Sequence, residues 1–271
     1  MILADDEKKE LAKEYIEKIF EGKEPSDAPE LSFIVGGQGS GKSTLAKKSD
    51  NSVIISGDDV VLYYAKQTDQ DIREVFLDDE LKQFAGEVNS EMLKKAVSED
   101  YNVIYETSGI ENVSEFVKKM LNLEVKLNHS IKVKAVLNDE YSSALNVEER
   151  NLARIEKMTA HRQGKLPFPD INPLTVRAEK SVIDLQRVLD ALGEIDKTGL
   201  EIEVYEFGKN EPSYVKGKTH KSLENFLSEV ELPDMKQNID RSEELKKKAK
   251  ECGDEDAFLR LNALQKEMKR Y

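Results

Sequence analysis

The chain has 271 residues, 38% of them apolar and 35% charged, with a formal net charge of −13 at pH 7. That length and composition suffice for one sizeable α/β core with a helical appendage, and no apolar run is long enough to span a bilayer. The acidic balance opposes a surface that tracks phosphate backbones, so nucleic acid is not an expected partner.

Met1 to Asp6 carry neither the basic start nor the apolar core of a signal segment. A single cysteine, Cys252, cannot close an internal disulfide, and His129, His161 and His220 are far apart without cysteine partners, a poor zinc set. The expectation is a soluble chain in a reducing, cytoplasmic setting with no membrane contact.

Leu11, Tyr15, Ile16, Ile19 and Phe20 fall at helical spacing and predict an amphipathic helix over 6–21, followed by a linker through Pro29. Leu31 to Val35 reads as a short strand running directly into glycines, and Val53-Ile54-Ile55 as a second strand ahead of Gly57-Asp58-Asp59. Leu81, Phe84, Val88, Met92 and Ala96 form the stripe of a long helix from Asp79 to Glu99. Asn102 to Tyr105 is a third strand, Val113 to Leu121 again shows helical spacing, and Ile131 to Leu137 is a fourth strand. This alternation predicts βα crossover units and a mainly parallel sheet.

Helices are expected over 139–160 and 174–192, with Pro167, Pro169 and Pro173 in the loop between them, then a fifth strand from Ile202 to Glu206. From Thr219 the chain reads as charged helix with Phe258, Leu259, Leu261, Leu264 and Met268 as its apolar positions. The division is thus an N-terminal helix and linker over 1–29, a core over 30–218 and a helical extension over 219–271.

Gly36-Gly37-Gln38-Gly39-Ser40-Gly41-Lys42-Ser43 matches G-x-x-x-x-G-K-[ST] between an apolar strand and a helix-compatible Thr44-Leu45-Ala46. Such a loop aims successive backbone N–H groups at phosphate oxygens, and the following helix adds its positive end. Residues Gly36 to Thr44 are therefore the candidate ATP or GTP cradle, Lys42 supplying charge to the outer phosphates and Ser43 a hydroxyl for Mg²⁺.

Three ordered segments, Gly37 to Ser43, Val53 to Asp58 and Tyr101 to Gly109, resemble the zeta toxin family of P-loop kinases. These are the toxic halves of bacterial toxin–antitoxin pairs and phosphorylate UDP-N-acetylglucosamine. The resemblance extends more weakly through Glu149-Arg150 to Lys197-Thr198-Gly199 and spans roughly residues 31–206. It implies a P-loop kinase-like α/β fold, a mainly parallel sheet flanked by helices with helical N- and C-terminal extensions, using ATP and Mg²⁺ on a nucleotide-sugar acceptor, with a protein antitoxin as a candidate partner.

By the same resemblance Asp58 is the base, Glu106 with Thr107 binds the acceptor, and two arginines contact the ATP phosphates. Arg150 matches the first arginine and Arg177 is chosen for the second, with Arg154 and Arg162 as rivals. Physically, a carboxylate at the carboxyl end of a parallel strand lies on the binding rim, where it can take a proton from an attacking hydroxyl. Asp59 is the rival base, expected to face helix or solvent, and either aspartate would also suit a helix N-cap before Val60-Val61-Leu62. Glu106 could instead hold Mg²⁺ through water. Gln163 to Pro169 is extra loop length relative to the family pattern, and His161, Arg162 and Lys165 could form a lid or a plain surface loop. Two other functions fit the same cradle: a kinase of another nucleotide or of a dinucleotide such as NAD, and a slow nucleotide-dependent switch whose helical parts bind a partner.

Overall fold

Leu31, Phe33 and Val35 alternate with Ser32 and Ile34 along strand β1 (Glu30–Val35), and all five are buried. A strand buried on both faces belongs in the middle of a parallel sheet. In the computed structural model, which describes residues 5–47, 51–107, 113–168, 184–219, 221–230 and 235–270, β1 is central in a six-stranded sheet. The order is β2 (Ser52–Ile55), β3 (Asn102–Thr107), β1, β4 (Ser130–Leu137), β5 (Glu201–Glu206) and β6 (Tyr214–Val215). The first five are parallel and β6 runs antiparallel to β5. Only β6 escapes the sequence pattern, since two residues carry no periodicity.

Parallel strands put all their carboxyl ends on one edge, and each crossover places a helix on a face. The crossovers use α2 (Lys42–Ala46), α3 (Gly57–Thr68), α4 (Ile72–Leu77), α5 (Asp79–Ser98), α6 (Val113–Lys126), α7 (Glu140–Arg162) and α8 (Asp184–Asp196). The helix expected over 174–192 has its first part outside the described residues, and α8 runs past its expected end. The amino-terminal helix α1 (Asp5–Phe20) buries Leu11, Tyr15, Ile16 and Phe20 in the main core beside Leu31, Phe33, Val103, Val133 and Val204.

The two faces of the sheet are covered unequally. Leu31, Phe33 and Val35 face the large core, whereas among the described residues Ile34, Ile104, Val136 and Tyr205 form a smaller cluster with Ile54 and with Leu45 and Ala46 of the short helix α2. Beyond α2 that second face is charged. Lys132 Nζ lies 2.8 Å from Glu30, 3.3 Å from Glu201 and 3.5 Å from Glu203, and Lys134 pairs with Glu30 at 3.3 Å. These pairs hold the Glu30 carboxyl below its usual range against the opposing effect of burial.

Past β6 come α9 (Leu223–Glu229), α10 (Met235–Cys252) and α11 (Glu255–Met268). Gly253 takes φ 70 to end α10, and Asp254 caps α11 by accepting from the Ala257 amide at 2.9 Å. Leu245, Ala249, Ala257 and Leu261 pack with Leu145 and Leu152 of α7 into a second core. Arg260 grips the buried Glu148 with two bonds of 2.6 and 3.1 Å. Leu259, expected among the apolar positions, is 64% exposed; its position between Phe258 and Leu261 turns it off the face that meets α7. No helix among the described residues is long and apolar enough to cross a membrane.

Candidate active site

The phosphate loop lies between β1 and α2 at the carboxyl edge of the sheet. Two glycines are demanded by space. A Cβ on Gly36 would sit 2.7 Å from Ser40 Oγ and 2.8 Å from the Val136 carbonyl, and Gly39, at φ +73, would put one 2.4 Å from the Ser143 carbonyl. Ser40 is buried in the turn, its amide bonded to the Gly37 carbonyl at 3.2 Å, while Thr44 is exposed in the first turn of α2 with its amide on Gly41 at 3.0 Å. Lys42 folds back over the loop, donating to the carbonyls of Gly36 at 2.5 Å and Gly37 at 2.7 Å.

Register places the acidic strand end beside this loop. Ile34 pairs with Glu106 and Val35 with Thr107, so both residues of β3 flank the start of the cradle, half-buried. Ser43 donates its hydroxyl proton to Glu106 Oε2 at 2.9 Å. A hydroxyl that donates in this way keeps its lone pairs for a cation, which fits the oxygen chemistry Mg²⁺ requires. Among the described residues no group of three or more His, Cys, Asp or Glu forms a metal cage, and Mg²⁺ characteristically uses few protein ligands together with phosphate oxygens.

Asp58 and Asp59 lie in the first turn of α3, where Ser56 rather than either aspartate holds the N-cap position. The N-cap role considered for them is thus not the one they have. Burial raises the Asp58 carboxyl to about 7; Asp59 and Glu106 push the same way, and Lys42 and Arg150 oppose. Glu106 is also raised, chiefly by burial and next by Asp59, against the Ser43 hydrogen bond, Lys42 and Lys47. The Tyr15 hydroxyl, brought in on α1, is raised by burial, then by Asp59 and Glu106. Asp59, expected to face helix or solvent, is half-buried and within electrostatic reach of Asp58, Glu106 and Tyr15. Successive residues in a helical turn are only about 100° apart, so both aspartates can view one edge.

The arginines divide by position along α7. Arg150 is half-buried and within electrostatic reach of Asp58. Arg154, one turn on, is buried. Arg162 is exposed and paired with Asp71 at 2.7 Å; sixteen residues past Asn146, which touches the loop, it stands about 24 Å along the helix. His161 accompanies it, bonding Asp69 at 2.9 Å, so these two tie α7 to the end of α3 and the start of α4. Arg177 lies outside the described residues, as do Ser108 and Gly109.

Two neighbours of the loop were not foreseen. Phe207, 42% exposed just after β5, closes a cleft of about 180 Å³ with Gly41, Thr44, Leu45, Tyr205 and Asn210. Asn146 of α7 donates from Nδ2 to the Gly39 carbonyl at 2.7 Å. Neither carries a local sequence signal that would mark it as a neighbour of the loop.

A glycine-lined loop between the central strand and a helix, with acidic strand ends on the same edge and a parallel sheet in this order, defines a P-loop kinase-like fold. The family model described as Zeta toxin matches residues 14–167, more than half of the chain. The chain belongs to the zeta toxin family.

A solved structure of the PezAT chromosomal toxin–antitoxin system of the human pathogen Streptococcus pneumoniae is similar with a TM-score of 0.64 at 17% identity, covering 93% of this chain and 97% of that one. The AvrRxo1-ORF1:AvrRxo1-ORF2 structure with sulphate ions matches with a TM-score of 0.57 at 11% identity, covering 97% and 85%. The same pair with ATP gives 0.50 at 9% identity, covering 96% and 90%. No curated protein matches the chain.

Proposed function

We propose that the chain transfers the γ-phosphoryl group of ATP to a hydroxyl of a small molecule, with the nucleotide sugar UDP-N-acetylglucosamine as the acceptor its family implies. The observation that carries this reading is the grouping at the edge of the phosphate loop, where Lys42 folds over the loop, Ser43 donates to Glu106 Oε2 at 2.9 Å, and Asp58 in the first turn of α3 lies within electrostatic reach of Lys42, Glu106 and Arg150. Switch proteins need the loop but not a raised carboxylate beside it, so this grouping favours transfer over the slow-switch alternative.

In this reading the loop amides hold the phosphates, and the cleft beside Phe207 seats the base against its ring. Lys42 exchanges its two carbonyl bonds for phosphate oxygens. Asp58, ionised, accepts the proton of the attacking hydroxyl, while Glu106 and Thr107 orient the acceptor. Arg150, with Arg177 or Arg154, spreads the charge of the transferring group. Mg²⁺ bound at Ser43 and the phosphates would neutralise part of that charge. A protein antitoxin is the partner we propose, since the chain shares its fold with a protein of the PezAT toxin–antitoxin system.

The test is purified protein with γ-labelled ATP and separate acceptors: UDP-N-acetylglucosamine, other nucleotide sugars and NAD. Label on UDP-N-acetylglucosamine is expected, falling roughly 10²- to 10⁴-fold in Asp58→Asn with ATP affinity nearly kept. Label on NAD alone would move the acceptor, and release only as free phosphate would favour the switch.

A further inference from the structure

The carboxy-terminal helices reach the phosphate loop through α7. Asn146 is 8% exposed; its Nδ2 donates to the Gly39 carbonyl at 2.7 Å and its Oδ1 accepts from Arg241 Nη2 of α10 at 2.6 Å. Arg241 also pairs with Glu149, the neighbour of Arg150. On the same side of α10, Asn238 is 4% exposed, accepts from Ser142 Oγ at 2.8 Å and donates to Asp139 Oδ1 at 3.2 Å. Asp139 is the N-cap of α7. Two residues at i,i+3 spacing on α10 thus hold both the start of α7 and the side chain that touches the loop.

A primary amide has one accepting end and one donating end, and its partners decide which way it turns. Arg241 can only donate, so it fixes Asn146 Oδ1 toward α10 and leaves Nδ2 for the loop. The Gly39 carbonyl can only accept, so this orientation satisfies it. The chain is therefore wired in one sense from α10 to the peptide that follows Gly39. Gly39 is also pressed so close to Ser143 that nothing larger fits. Since α2 has only five residues, the loop gains little anchorage from its own helix.

We propose that Asn146 and Arg241 are positioning residues of the nucleotide site: α10, through the Asn146 amide, sets the loop peptide at Gly39 for phosphate. This inference rests on the nucleotide-binding reading of the loop. Full-length variants are compared by calorimetric titration with Mg-ATP and by thermal melting. Asn146→Asp keeps an acceptor for Arg241 but turns an oxygen onto the Gly39 carbonyl; its Kd for ATP is expected to rise about tenfold or more.

Arg241→Ala should weaken ATP about fivefold, and Arg241→Lys, which still donates to Asn146, should recover to within about twofold of the parent. Arg260→Gln loosens the same helices away from the loop, so it should melt earlier with unchanged ATP affinity. Parental ATP affinity in both Asn146→Asp and Arg241→Ala would overturn the inference, as would equal weakening by Arg260→Gln. A parent that fails to bind Mg-ATP would instead remove the reading beneath it, before any variant is compared.

Discussion

Asp58 is subject to two opposing demands. A base that takes a proton from a hydroxyl works best when it titrates near the working pH, and burial with Asp59 and Glu106 beside it brings this carboxyl to about 7. Only the ionised form accepts a proton, so kcat/KM is expected to rise with pH through about 7 and level off above it; a flat profile over that range would exclude Asp58 as the base. The same displacement acts on stability with a definite sign. The folded-state pKa lies above the ordinary aspartate value of about 4, so the native state holds the proton more tightly, and stability falls as pH rises from about 4 to about 7.

Asp58→Asn removes the charge while keeping the shape. It should melt a few degrees above the parent at about pH 8, with a smaller gain at about pH 5. Slower transfer and higher melting in one variant are the joint signature to measure. Asp58 and Glu106 were legible as residues because strand ends of a parallel sheet must share an edge. The influence of Asp59 was not, because it depends on α3 starting at Gly57 and placing both aspartates in its first turn.

At the scale of elements, the glycine loop between β1 and α2 was readable from its glycine spacing and its flanks. Its supports were not: Phe207 and Asn146 come from segments more than a hundred residues away in sequence, and no local periodicity marks which side chain will reach a loop. Lys42 shows how loop and ligand share one group. Its ammonium bonds two loop carbonyls, so Lys42→Ala should cost about 1–2 kcal/mol of stability as well as lowering turnover about 10²-fold or more through the lost phosphate contact. Melting curves and labelled-ATP transfer on the same preparation check both effects. A variant with parental turnover would sink the assignment of this lysine. The arginines could not be sorted from sequence, since position along α7 separates Arg150 from Arg162 and that position is fixed only once Asn146 is seen against Gly39.

At the scale of the whole molecule, among the described residues one sheet face rests on the large core and the other on a five-residue helix, a small apolar cluster and a set of ion pairs. This too was present in the sequence, in the alternation of Ile131-Lys132-Val133-Lys134 and of Glu201-Ile202-Glu203-Val204. Parallel strands buried on both faces read instead as continuous apolar runs, so alternation in a crossover fold marks a half-covered sheet. The consequence is calorimetric. Heat capacity on unfolding rises with apolar surface exposed and falls with polar surface exposed, and here the amino-terminal ends of β1, β4 and β5 release charged side chains from that face instead of hydrocarbon. A chain of 271 residues at average composition would show about 3–4 kcal/mol/K; this one is expected at or below the lower figure by scanning calorimetry, and a value above the range would contradict it. With so small a heat capacity change its stability curve is broad and shallow, and cooling or warming by a few tens of degrees alters its margin less than it would for a chain with two oily sheet faces.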